Sequence, residues 1–207
     1  MSQKLHPGLN LGPAHGAAHA GSEETLFGFW VFLMSDLIIF GVLFATYAAS
    51  TGPVGMAGGP GPAELFDLES TAIQTGFLLA SSLTCGMASL ALKYHEGAKR
   101  IALWLILTAA LGSGFLTFEL RDFASMVAEG GTPMRSAWLS SLYALVGLHG
   151  LHITAGLLWI AVMLSLMAVL GLSDRVKTRL LLFALYWHFL DLVWIGIFSV
   201  VFLAGVA

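Results

Sequence analysis

The chain has 207 residues, 57% apolar and 10% charged, with nine basic and twelve acidic side chains and a net charge of −3. Its mean hydropathy is +0.86. A soluble domain is roughly 25% charged, so this composition excludes an ordinary cytosolic domain and a disordered chain. The single cysteine, Cys85, excludes a disulfide scaffold or a Cys-rich metal site, and the charge offers no basic surface for nucleic acid. What remains is an integral membrane protein.

Residues 1–24 are rich in Gly, Ala, Pro and His and lack the apolar core of a cleaved signal peptide. They read as a mobile polar tail, in which His6, His15 and His19 are solvated rather than metal-bound. Residues 25–207 read as one membrane domain. A membrane helix needs about 20 apolar residues. Five segments nearly free of Asp, Glu, Lys and Arg meet that need, predicting spans at about 26–50, 70–92, 101–123, 139–170 and 180–205. Residues 136–173 carry no such charge for 38 positions, too few for two spans and a loop, so they predict one long helix. None of the segments alternates as outer-membrane strands do. The expected fold is an all-α bundle of five transmembrane helices.

Charge in the loops predicts orientation. Lys4, Lys93, Lys99, Arg100, Arg175, Lys177 and Arg179 fall at one end of the spans, and only Arg121 and Arg135 at the other. Basic residues collect on the cytoplasmic side. The N-terminus is therefore expected in the cytoplasm and the C-terminus in the periplasm.

A charge at mid-bilayer costs about 2.5–3.5 kcal/mol on insertion scales. Among the polar residues inside the spans, six stand out: Asp36, Glu119, His149, His152, His188 and Asp191. His149 and His152 are three apart, as are His188 and Asp191, so each pair shares a helix face. The fourth and fifth spans are joined by a short loop, which lets the two pairs face each other at similar depth. Such a set suits an interhelix hydrogen-bond network, a proton relay, or ligation of haem or copper. Steps of four between small residues (Ser81, Cys85, Ser89; Gly150, Thr154) predict close helix packing.

Three stretches carry a family pattern. They are Phe27-Gly-Phe-Trp-Val-Phe-Leu-Met-Ser-Asp36, Gly147-Leu-His149-Gly150-Leu-His152, and Trp187-His188-Phe189-Leu-Asp191-Leu-Val-Trp194. In this order they resemble subunit III of haem–copper terminal oxidases. With five spans rather than seven, the chain is most like the form in cytochrome bo-type ubiquinol oxidases. The aa-type menaquinol oxidases have a similar subunit. The resemblance implies a respiratory-chain subunit in the bacterial inner (plasma) membrane that packs against the catalytic subunit I and membrane lipids. It implies that haems, copper and the quinol site belong to that partner, so no catalytic, cofactor-binding or metal-binding residue is expected here. The implied role is assembly, stability and phospholipid binding, within a complex that oxidises quinol, reduces oxygen to water and pumps protons. Glu119 takes the place of the family's membrane glutamate, followed by Asp122, with Arg121 between them where an aromatic is common. That departure predicts an ion pair of Arg121 with Glu119 or Asp122. Two other classes stand beside this reading. One is a small proton-coupled transporter using Asp36, Glu119, His188 and Asp191, although no internal repeat is visible. The other is a haem-bearing electron carrier.

Overall fold

The computed structural model describes the backbone from residue 15 to 206 and side chains from residue 24. Every element among the described residues is helical: α1 (His15–Ser50), α2 (Pro53–Met56), α3 (Pro62–Leu65), α4 (Leu68–Lys93), α5 (Ala98–Ala128), α6 (Ala137–Leu170) and α7 (Asp174–Ile197). A wide π-helical turn (Phe198–Leu203) and the short α8 (Ala204–Val206) continue α7. Five helices are long and apolar enough to cross a membrane. Residues 137–170 form one helix, as their uncharged run predicts.

The helix ends lie further out than the charge-free runs. α5 continues past 123 to Ala128, and α7 begins at Asp174 rather than near 180. Freedom from charge marks the hydrocarbon core, whereas helical hydrogen bonding continues through the polar interface. In α7, for instance, the Lys177 ammonium donates to Asp174 at 3.0 Å in the first turn. α1 starts at His15, inside the segment 1–24 expected as a tail. His6 and the side chains of His15 and His19 lie outside the described residues.

Local chemistry sets the breaks. Pro53 opens α2 after Gly52, and Ala57 turns left-handed behind it. The Asp67 carboxylate accepts from the backbone N–H groups of Glu69 and Ser70, which caps α4. The Ser136 hydroxyl caps α6 by accepting from Leu139 N–H. Gly97 and Gly171 have φ of 90° and 63°, a backbone region open to glycine.

The five spans form a closed ring. α1 packs on α6 and α7, α4 on α5 and α7, and α5 on α6. α6 and α7 also pack on each other, so the core lies along their shared seam. There Trp138, Trp187, Trp194, Phe115 and Phe183 are almost wholly buried. The outward stripes, such as Phe27, Ile38 and Val42 of α1 or Leu151 and Leu158 of α6, are apolar and exposed, as lipid-facing surface must be.

Candidate functional site

The six intramembrane polar residues do not meet in one network. They fall into four places around the ring.

The first joins α1 and α6. Asp36, 7% exposed, brings Oδ2 to 3.1 Å from His152 Nε2, close but poorly aligned for a hydrogen bond. His152 Nδ1 lies 2.7 Å from Leu148 O. A carbonyl oxygen only accepts, so Nδ1 carries a proton. Nε2 faces the carboxyl across the α1–α6 interface, and the two form an ion pair when the imidazole is protonated. Tyr186 of α7 donates to His152 O at 2.9 Å, which ties the same turn of α6 to a third helix.

The second is His149 alone. It is fully buried, and neither ring nitrogen has a hydrogen-bond partner. It stacks on Trp194 with centroids 5.3 Å apart and meets Phe115 edge-on at 5.8 Å. In this setting it acts as an aromatic ring in the core. Both imidazoles meet Phe40 of α1, but His149 lies among the rings of α5 and α7 whereas His152 reaches Asp36 of α1.

The third is Glu119, 4% exposed on α5. Its carboxyl fits against α6 only because residue 150 is glycine: a Cβ there would lie 2.5 Å from Oε1. Oε2 has no hydrogen-bond partner. One turn further, Asp122 accepts from the Ser70 hydroxyl at 2.9 Å and from Gln74 Nε2 at 2.5 Å, both on α4. Among the described residues Arg121 makes neither expected ion-pair contact within 4.0 Å, although its charge acts on the Asp122 carboxylate at longer range. α4 supplies neutral donors to Asp122 instead, and Glu119 turns inward to Gly150. Both acids line a cavity of about 400 Å³ at this end of the bundle, with Glu64, Asp67, Glu69 and Glu129 around it.

The fourth is on α7. His188 Nδ1 lies 2.7 Å from the Ser82 hydroxyl of α4. Asp191 stands one turn on, near enough to interact with both Ser82 and His188, while its Oδ1 has no hydrogen-bond partner. His188 is exposed on the outside of the bundle, so the expected facing of the two polar pairs does not occur.

The aromatic residues of the Trp187–Trp194 stretch clamp α7 to its neighbours. Trp187 Nε1 donates to Ser81 Oγ at 3.0 Å, and Trp194 Nε1 to Thr75 Oγ1 at 3.0 Å. Phe189 is buried in the core. The hydroxyls of Thr75, Ser81 and Ser82, and Gln74 with Ser70, are the partners that sequence reasoning missed, having read Ser81 as a small packing residue. A run of hydroxyls on the span beside two indole-bearing turns is the signal that could have found them. Among the described residues no three of His, Cys, Asp and Glu are grouped to hold a metal ion. The geometry therefore offers interhelix contacts, one carboxyl–imidazole pair and one acid-lined cavity.

These features define an all-helical, multi-pass membrane protein whose intramembrane polar residues mostly join helices. A family model described as cytochrome c oxidase subunit III matches residues 12–206. The chain belongs to this family, subunit III of haem–copper oxidases. It is 43% identical over 206 residues to the cytochrome bo(3) ubiquinol oxidase subunit 3 of Pseudomonas aeruginosa, covering 99% of this chain and 97% of that one. It is 47% identical over 189 residues to the subunit of the same name from Pseudomonas putida, covering 91% and 89%. The quinol oxidase subunit 3 of Bacillus subtilis is 39% identical over 202 residues, covering 92% and 96%.

Proposed function

We propose that this chain is the non-catalytic subunit III of a cytochrome bo-type ubiquinol oxidase, which takes electrons from ubiquinol, reduces oxygen to water and pumps protons. It sits in the bacterial inner membrane with its N-terminus in the cytoplasm and its C-terminus in the periplasm. It packs against the catalytic subunit I, which holds the haems and copper, and it supports assembly, stability and phospholipid binding there. The observation that carries the reading is likeness over 99% of the chain to a bo(3) ubiquinol oxidase subunit 3. The way the chain uses its costly intramembrane polar groups agrees with it. Asp36, His152, Asp122, Trp187 and Trp194 each contact a neighbouring helix.

The test is copurification. The membrane is solubilised in mild detergent, this chain is captured, and the reduced-minus-oxidised visible spectrum of the eluate is recorded with its quinol-dependent oxygen uptake. The expected result is a b-type haem signal and oxygen consumption with ubiquinol as donor. An eluate without haem overturns the reading, and activity with menaquinol alone replaces the bo type by the aa type.

A further inference from the structure

His188 lies in an unusual place. It is 14 residues into the span beginning at Asp174, and its partner Ser82 is the same distance into the span beginning at Leu68. At ~1.5 Å per residue both sit about 20 Å along their helices, near mid-bilayer. At that depth His188 is exposed. Other exposed polar side chains in the spans solve this locally. The hydroxyls of Ser35, Thr117 and Thr154 each donate to a carbonyl of their own helix. An imidazole has two nitrogens, and Ser82 engages only Nδ1. Whichever tautomer Ser82 selects, Nε2 has one hydrogen bond left to make, and no described residue makes it. Acyl chains cannot supply it, and ionisable side chains within membranes face protein or a water-filled cavity.

The surface around His188 has the form of a helix seat. α7 contacts both α1 and α4, so its outward side is the floor between them. Its outward row continues through Leu192, Ile195 and Ser199, all exposed. On the α4 wall, Gly86 lies one turn from Ser82, and a Cβ added there would meet nothing within 4 Å. Leu79, exposed, flanks the same wall.

We infer that a membrane-spanning helix of a different polypeptide docks on the outward face of α7, between α1 and α4, and hydrogen-bonds His188 Nε2 with a polar side chain at mid-depth. The polar complement to be met at His188 argues for protein over lipid. The inference rests on the reading that the chain works inside an oxidase complex and names the face through which it does so.

The test uses the full complex in its membrane. A photoreactive benzophenone amino acid is placed at Leu192 or Leu79, and as a control at Leu158, exposed on α6 on the other side of the ring. Irradiation should join positions 192 and 79 to a membrane polypeptide other than this chain, and leave 158 without that adduct. A second measurement compares His188→Phe with His188→Gln. The partner recovered with His188→Phe should fall roughly tenfold, the scale of one lost intramembrane hydrogen bond, and His188→Gln should restore most of it. Adducts from 158 alone, adducts only to a second copy of this chain, or no protein adduct at 192 and 79 would overturn the inference. Equal recovery with Phe and wild type would overturn the role given to His188. A haem signal in the same eluate shows whether the oxidase reading itself stands, so the two failures are told apart.

Discussion

Trp187 shows how single residues decide fit in this bundle. Its ring lies between two glycines on different helices. A Cβ on Gly112 would lie 2.9 Å from its Cη2, and one on Gly156 2.7 Å from its Cζ3. The Nε1–H bond to Ser81 holds the ring in place, so it cannot swing away. Gly156→Ala should therefore cost about 1–3 kcal/mol through overpacking. Gly41→Ala on the exposed side of α1, where a Cβ meets nothing, should be neutral or stabilising by up to ~1 kcal/mol through helix propensity. Unfolding in mixed detergent–SDS micelles, followed by circular dichroism, reads both. A stable Gly156→Ala chain would show that the ring has more room than these distances allow. The Asp36–His152 pair gives a second residue-level expectation. Asn at position 36 places an amide donor beside Nε2, so Asp36→Asn should be within ~1 kcal/mol of wild type. Asp36→Leu strands the imidazole and should cost about 1–3 kcal/mol. Equal effects of Asn and Leu in the same unfolding assay would remove the pair from the account.

The helices owe their existence to apolar length and their partners to a few polar bonds. α4 meets α7 through Ser81–Trp187, Ser82–His188 and Thr75–Trp194. Because acyl chains are as apolar as leucine, such bonds and close packing replace the hydrophobic drive between helices. Trp194→Phe and Thr75→Val should each weaken the α4–α7 pairing by about 0.6–2 kcal/mol. The double variant should cost much less than their sum, since both remove one bond. Additive losses would mean that the bond contributes nothing beyond packing. The spans themselves were legible in the sequence because lipid imposes a length and forbids charge. Their ends were less so. Helical bonding carries on through the interface, as in the last turn of α5 and the first turns of α7.

For the molecule as a whole, the chain has a ring of helices with an acid-lined cavity at one end and a polar interruption on the α7 face. The buried Glu119 is held at the cavity by the missing side chain of Gly150. Among the described residues its carboxyl lies against the α6 backbone at Gly150. Glu119→Gln keeps the shape and should leave oxygen reduction by the assembled oxidase within about twofold of wild type, less than the ~1.4 kcal/mol that separates tenfold steps. Purification of an intact Glu119→Gln complex and measurement of its oxygen uptake check this. An assembled complex with no turnover would give Glu119 a direct part in the reaction.

Composition and order along the chain determined that it is a five-span membrane protein, because charge-free runs of span length have no other stable setting in lipid. The motif around Trp187, His188 and Asp191 pointed to the family, and the uncharged run 136–173 holds the single helix Ala137–Leu170. Sequence spacing also put His149 beside His152, and His188 beside Asp191, on shared faces. It could not say where those faces point. Rotation of each helix about its axis is set by neighbours: Asp36 draws His152 toward α1, aromatic rings enclose His149, Gly150 admits Glu119, and Ser82 engages His188 at the outer surface. Only the tertiary structure decided those rotations, because each depends on contacts between residues far apart in the chain.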